Sequence, residues 1–164
     1  MIPIKIAILT VSDKGSQGQR KDTAGPAVKE VLAPLNIEVL GYDIVPDEIE
    51  AISAKLIHYC DELDCDLVLT TGGTGFSPRD VTPEATLKVI DRIVPGIPEA
   101  IRAGSLKITP KAMLSRAAAG IRNKSLIINL PGSEKGVRES LAIILPALEH
   151  GIEILRGAGG ECGR

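Results

Sequence analysis

Short aliphatic runs alternate with segments of helical period along most of this chain, and no other feature restricts its fold as strongly. Ile4–Val11 is a β-branched run ended by Ser12-Asp13-Lys14-Gly15, residues 38–45 form a second run closed by Pro46, and Leu67–Thr71 forms a third that enters Gly72-Gly73-Thr74-Gly75. Runs this short and this apolar predict buried strands. Between them, Val28, Val31, Leu32 and Leu35 follow Pro26 at helical spacing, and Ile49, Ile52, Leu56 and Leu63 do so again. Farther along, Thr82-Pro83-Glu84 reads as an N-cap, a proline at the first helical position and an acid in the first turn. Pro98 opens another helix, ending near Lys107. Residues 117–122 and Ser125–Leu130 predict a hairpin around Asn123-Lys124. A final helix carries Val137, Leu141, Leu145, Leu148, Ile152 and Leu155, with Pro146 expected to bend or divide it. The alternation predicts an α/β fold, a three-layer αβα sandwich whose mainly parallel sheet carries one antiparallel strand.

With 164 residues, no internal repeat and no linker, the chain reads as one domain over 1–157, followed by a mobile tail over 158–164. A formal charge of -2 supplies no global field for nucleic acid or an anionic membrane. Tyr42, Tyr59 and Phe76 are the only aromatic residues, too few for a base-stacking platform. Cys60, Cys65 and Cys162 have neither the number nor the spacing of a disulfide or zinc framework, and read as buried small hydrophobes in a reducing compartment. No apolar stretch approaches the ~20 residues that span a bilayer, and the first residues lead straight into a strand without a leader pattern. A cytoplasmic protein is expected.

Four polar clusters fall just after predicted strands: Ser12-Asp13, Asp47, Thr70 to Asp80, and Asn129 to Ser133. In a parallel sheet they gather on one rim, where such folds bind ligands. Gly72-Gly73-Thr74-Gly75 can turn successive amide N–H groups toward an anion, although it lacks both the GK[ST] ending of a P-loop and GxGxxG spacing. Asp80 stands where a carboxylate can brace the turn, and Asp47, with Glu50 three residues on, resembles a capping box. Two acids beside an anion nest nevertheless make chemical sense when a cation joins them to phosphate oxygens, the usual surroundings of Mg²⁺. Pro131-Gly132-Ser133 reads either as a helix cap or as a second phosphate contact, and Lys14, Arg20 and Lys21 either as solvated cations or as partners of a phosphate tail.

The stretch Thr70-Thr71-Gly72-Gly73-Thr74-Gly75-Phe76-Ser77-Pro78-Arg79-Asp80-Val81-Thr82-Pro83-Glu84-Ala85-Thr86 resembles the motif of the molybdopterin adenylyltransferases. That family comprises MogA/MoaB-type bacterial proteins and the G domains of plant cofactor proteins and gephyrin. Val11-Ser12-Asp13, Val45-Pro46-Asp47-Glu48, Ser105-Leu106-Lys107-Ile108-Thr109-Pro110, Met113-Leu114-Ser115-Arg116 and Asn129-Leu130-Pro131-Gly132 extend the likeness over nearly the whole chain, in order. The resemblance implies an enzyme of molybdenum cofactor assembly that uses Mg²⁺ to transfer AMP from ATP to the terminal phosphate of molybdopterin, releasing pyrophosphate. It implies Asp47 and Asp80 as the catalytic and metal-holding acids. It assigns Gly72, Gly73, Thr74 and Gly75 to nucleotide and diphosphate binding, Ser12, Ser115, Pro131, Gly132 and Ser133 to the pterin side, and Thr71 and Asn129 to substrate binding more generally. A homotrimer or hexamer is the implied assembly. The alternative within the family is a carrier that binds molybdopterin without chemistry.

Overall fold

A computed structural model describes residues 2–157, so the expectation for the tail over 158–164 lies outside the described residues. Among the described residues, β1 (Ile4–Val11), β2 (Ile37–Val45), β3 (Leu67–Thr71), β4 (Arg92–Ile93), β5 (Ala119–Arg122) and β6 (Ser125–Leu130) form one sheet in the order β2-β1-β3-β6-β5-β4. The pairs β1–β2, β1–β3 and β3–β6 are parallel, whereas β5 runs antiparallel to both its neighbours. The single antiparallel strand expected from the hairpin is therefore β5. Asn123 turns that hairpin with φ 54°, a left-handed conformation that asparagine tolerates better than most residues.

Strand alternation divides the core into two layers. Ile4, Ile6 and Ile8 of β1, Leu67 and Leu69 of β3, and Leu126, Ile128 and Leu130 of β6 face one side. There they meet α2 (Ala24–Leu32), α5 (Gly96–Leu106) and α6 (Glu134–Leu155). The intervening residues Ala7, Leu9, Val11, Val68 and Ile127 face the other side, against α3 (Ile49–Ile57) and α4 (Thr82–Val89). Because β1, β3 and β6 bury both faces, their sequences read as predominantly apolar runs. On α6, Val137, Leu141, Ile144, Leu148 and Ile152 make the buried stripe.

Several local expectations are corrected. Ser12-Asp13-Lys14-Gly15, read as the end of the first run, starts a single helical turn, α1 (Asp13–Ser16), which Ser12 caps by accepting from the Gly15 amide at 3.0 Å. Val81, not Thr82, occupies the N-cap of α4, and Thr82 turns its hydroxyl inward to donate to the Gly72 carbonyl at 2.9 Å. Pro146 does not divide α6, which runs unbroken for 22 residues. Pro146 and Ala142, the residue whose carbonyl loses its donor, both lie on the exposed side, where that carbonyl is open to solvent and the missing bond costs least. The edge strand β4 is two residues long and carries no hydrophobic alternation to announce it.

Candidate functional site

The chain leaves β1 toward β2 on one side and leaves β3 toward β6 on the other, so the direction of winding reverses between β1 and β3. A crevice opens beyond the carboxyl ends of strands at such a reversal. Here it is a cleft of about 370 Å³ whose wall includes Ser12, Asp47, Thr71, Gly72, Gly73 and Asp80. Gly132 and Ser133 close its far side, and Arg20 and Lys21 approach from the loop after α1.

The glycine loop is shaped by contacts that only glycine permits. Gly72 has φ 93°, and a Cβ there would strike the Val11 carbonyl; Gly73 has φ 70°, and a Cβ there would strike the Thr82 hydroxyl. Both residues sit in the left-handed region, where glycine is favoured. The two acids flank this loop. A Cβ on Gly73 would lie 3.2 Å from Asp47 Oδ1, and one on Gly75 would lie 3.0 Å from Asp80 Oδ2. Asp47 and Asp80 thus share one cleft and lie close to the same four-residue loop, at Gly73 and at Gly75.

Neighbours fix each acid. The Asp13 amide donates to Asp47 Oδ2 at 2.9 Å, and the Asp47 amide donates to Asp13 Oδ1 at 3.0 Å. That reciprocal bracket replaces the capping box expected at Asp47, because Glu48 stands at the N-cap of α3 and makes no side-chain cap. Arg79 completes the bracket by gripping both Asp13 oxygens, at 3.0 and 2.9 Å. The Arg79 hydrogen bond, helped by the Asp47 amide, holds the Asp13 carboxyl below the usual carboxylate range. The Asp47 carboxyl is pushed above that range, first by desolvation and then by the charges of Asp13 and Asp80, against the Asp13 amide and Arg79. Asp80 is held in a short turn: the Ser77 amide donates to its Oδ2 at 3.0 Å, while its own amide donates to the Ser77 carbonyl at 2.9 Å.

A second cavity of about 350 Å³ lies on the other side of the loop, with Thr74, Gly75, Ser115, Asn129 and Pro131 in its wall beside the apolar Ile101 and Leu114. Ser133 borders both cavities, and also caps α6 by accepting from the Gly136 amide at 3.0 Å. The expected binding set is therefore divided, with Ser12 and Ser115 in different cavities. Asn129 is buried, and its amide braces the interior: Nδ2 donates to Thr70 and Thr86 hydroxyls at 3.0 and 2.9 Å, and Oδ1 accepts from the Ala118 amide at 3.1 Å.

Four residues absent from the expected set help build the site. Asp13 and Arg79 have just been described, and Arg116 touches the glycine loop. Asp22 ties Thr10 Oγ1, at 2.7 Å, and the Tyr42 hydroxyl to the first amides of α2, Ala24 and Gly25. Desolvation first, and then Asp22, drive the Tyr42 phenol above its ordinary range. A usable signal existed for Arg79, because clustered acids require a nearby cation; Asp22 is separated from its partners in sequence and gave none. Cys60 and Cys65 behave as expected, buried and free, with burial pushing their thiols up to about 11 and about 12, while Cys162 lies outside the described residues.

Among the described residues no cluster of three or more His, Cys, Asp or Glu is arranged to hold a metal by itself. Asp47 and Asp80 nevertheless line the same cleft, where desolvation first and then the neighbouring charges of Asp13 and Asp80 raise the Asp47 carboxyl.

Comparison with known proteins shows the family. Residues 7–150 match the family described as "Probable molybdopterin binding domain". The chain is 50% identical to the molybdopterin adenylyltransferase of Helicobacter pylori strain J99 over 159 residues, covering 96% of this chain and 90% of the relative. It is 42% identical to the molybdopterin adenylyltransferase of Escherichia coli K12 over 161 residues, covering 93% and 81%. The crystal structure of the molybdopterin biosynthesis enzyme MoaB from Thermus thermophilus superposes with a TM-score of 0.90 at 51% identity, covering 94% of this chain and 97% of that one.

Proposed function

The chain belongs to the molybdopterin adenylyltransferase family of molybdenum cofactor biosynthesis, and from that premise we propose that it transfers AMP from ATP to the terminal phosphate of molybdopterin. The observation that carries this reading is the placement of Asp47 and Asp80 beside one glycine loop, in a cleft at the reversal of the sheet. A phosphate oxygen of molybdopterin attacks the α-phosphorus of ATP. The new P–O bond forms as the bond to the bridging oxygen of the β-phosphate breaks, and pyrophosphate leaves with that electron pair. The products are adenylyl-molybdopterin and pyrophosphate.

Such a transfer needs alignment of two anions and neutralisation of their charge more than covalent help from the protein. Amides of Gly73, Thr74 and Gly75 would donate to phosphate oxygens, whereas the Gly72 amide is held by the Leu130 carbonyl at 3.1 Å, and Arg20 and Lys21 line the adjoining cleft. Asp47 and Asp80 would hold Mg²⁺, which supplies charge neutralisation across the reacting phosphates. The second cavity, with its apolar wall, suits a flat heterocycle, and Ser115, Pro131 and Ser133 would line it. A homotrimeric or hexameric assembly and a cytoplasmic location belong to the same reading. Among the described residues no helix is long and apolar enough to cross a membrane.

Incubation of the protein with ATP, Mg²⁺ and molybdopterin tests the proposal. Equimolar adenylyl-molybdopterin and pyrophosphate are expected. Tight molybdopterin binding by folded protein with no ATP-dependent product would make the chain a carrier instead.

A further inference from the structure

The loop that bears Asp80 has few backbone partners of its own. An irregular segment beside a cleft must have its carbonyls satisfied by water or by side chains, and water leaves it free to change shape. In this protein one residue from a distant part of the chain takes that task. The Arg116 amide donates to the Thr74 carbonyl at 2.8 Å. Its guanidinium donates from Nε to the Gly75 carbonyl at 2.8 Å, from Nη2 to the Asp80 carbonyl at 2.8 Å, and from Nη1 to Glu84 Oε2 at 2.7 Å. Four points between residues 74 and 84 are thereby pinned to one position of the segment before β5.

We propose that Arg116 is a positioning residue: it latches the glycine loop so that the Asp80 carboxylate is held ready at the cleft. The inference rests on the adenylyltransferase reading for its kinetic consequence, though the latch itself is a matter of loop order. Arg116 does not line the acid cleft and acts through the carbonyls of Gly75 and Asp80. Those two bonds matter more than the ion pair to Glu84, which is partly exposed at both ends and contributes little. The task requires a planar fork: three donors must point to three acceptors at once, and a lysine ammonium on a flexible stem cannot reproduce the set. The backbone on either side of Arg116 is anchored in turn, because Arg102 Nη1 of α5 donates to the Ser115 and Ala117 carbonyls at 3.3 and 3.0 Å. The latch is therefore mounted on a helix of the opposite layer.

The test compares Arg116→Lys and Arg116→Ala with Arg122→Lys. Arg122 also forks between a helix-terminal carbonyl, that of Val89, and a carboxylate, that of Asp61, but lies away from the cleft. It controls for loss of stability alone. In the folded Arg116 variants, kcat for adenylyl transfer should fall by about 100-fold, the scale on which small misplacement of a reacting group acts. KM for ATP and molybdopterin should move only a few-fold, and methylguanidinium should restore part of the rate in Arg116→Ala. Hydrogen exchange at the Asp80 and Thr82 amides, which close the loop onto the Ser77 and Gly73 carbonyls, should quicken in both variants but not in Arg122→Lys. Unchanged kcat and unchanged exchange in folded Arg116 variants would overturn the proposal, as would losses no larger than those of Arg122→Lys. Should Arg116→Ala fail to fold, Arg116→Lys carries the comparison. A wild-type protein that makes no product would refute the adenylyltransferase reading alone, and the exchange experiment would still decide the latch.

Discussion

Asp47 bears two loads. Its carboxylate closes a bracket with Asp13, and it carries a negative charge that desolvation and two neighbouring acids make costly. A carboxyl whose native pKa exceeds its unfolded value stabilises the protonated native state, and that advantage disappears as pH rises through the native value. At neutral pH the folded protein therefore retains an electrostatic burden for the sake of the site. Replacing Asp47 with Asn removes the charge and keeps an oxygen to accept from the Asp13 amide. We expect Asp47→Asn to melt at or above the wild-type temperature at neutral pH. That advantage should vanish below the ordinary carboxylate range, where Asp47 is uncharged in both states. The wild-type activity should lose its acid limb at a pH above that range, since the ionised form is the one able to hold a cation. Thermal denaturation and initial rates over the same pH series check both statements; a lower melting temperature at neutral pH would restore Asp47 to a mainly structural role.

At the level of elements, the sequence was most readable where periodicity and burial coincide. β1 and β3 were placed to the residue, because strands buried on both faces leave a short, mainly aliphatic record. Their polar successors could then be assigned to one rim. What escaped were features decided by contacts distant in sequence. The Asp47-to-Glu50 spacing has the form of a capping box, yet Asp13 and Arg79 claim Asp47's surroundings. Thr82 has the form of an N-cap, yet the Gly72 carbonyl draws its hydroxyl inward. Local patterns name what a residue can do, and tertiary contacts choose among those uses. The glycine loop offers a test of that choice. Gly72→Ala must adopt an unfavourable φ and also collide with the Val11 backbone, whereas Gly18→Ala adopts φ 73° in open space. Both should lose about 1–2 kcal/mol from the left-handed conformation. Gly72→Ala alone should lose more stability by denaturant titration and most of its activity, since the loop cannot close on β1.

For the molecule as a whole, the site follows from the order of strands. β1 and β3 lie side by side in register, with Thr10 opposite Thr71, and the Thr71 hydroxyl donates to Thr10 Oγ1 at 3.2 Å just beneath the cleft. The opposite end of the sheet is closed separately. Arg156, just past α6, grips both oxygens of Asp66 at 3.0 and 2.6 Å and the Pro3 carbonyl at 2.7 Å, so the last helix is tied to the start of β1. One end of the parallel strands is thus sealed by an ion pair, and the other remains open to ligand. Topology could be inferred from the alternation of elements, and the rim from topology; the division of the expected residues between two cavities could not, because it depends on the path of the loop in three dimensions. The claim that joins these scales is that two carboxylates beside one glycine loop carry the transfer. Single-turnover reactions with ATP labelled at its α-phosphorus test it most directly, in the wild type, Asp47→Asn and Asp80→Asn, each with molybdopterin and Mg²⁺. The account predicts label in the pterin product for the wild type and a rate at least about 100-fold lower in each folded variant, the scale of losing one electrostatic contact to a transition state. Transfer of label at the wild-type rate by both variants would contradict it.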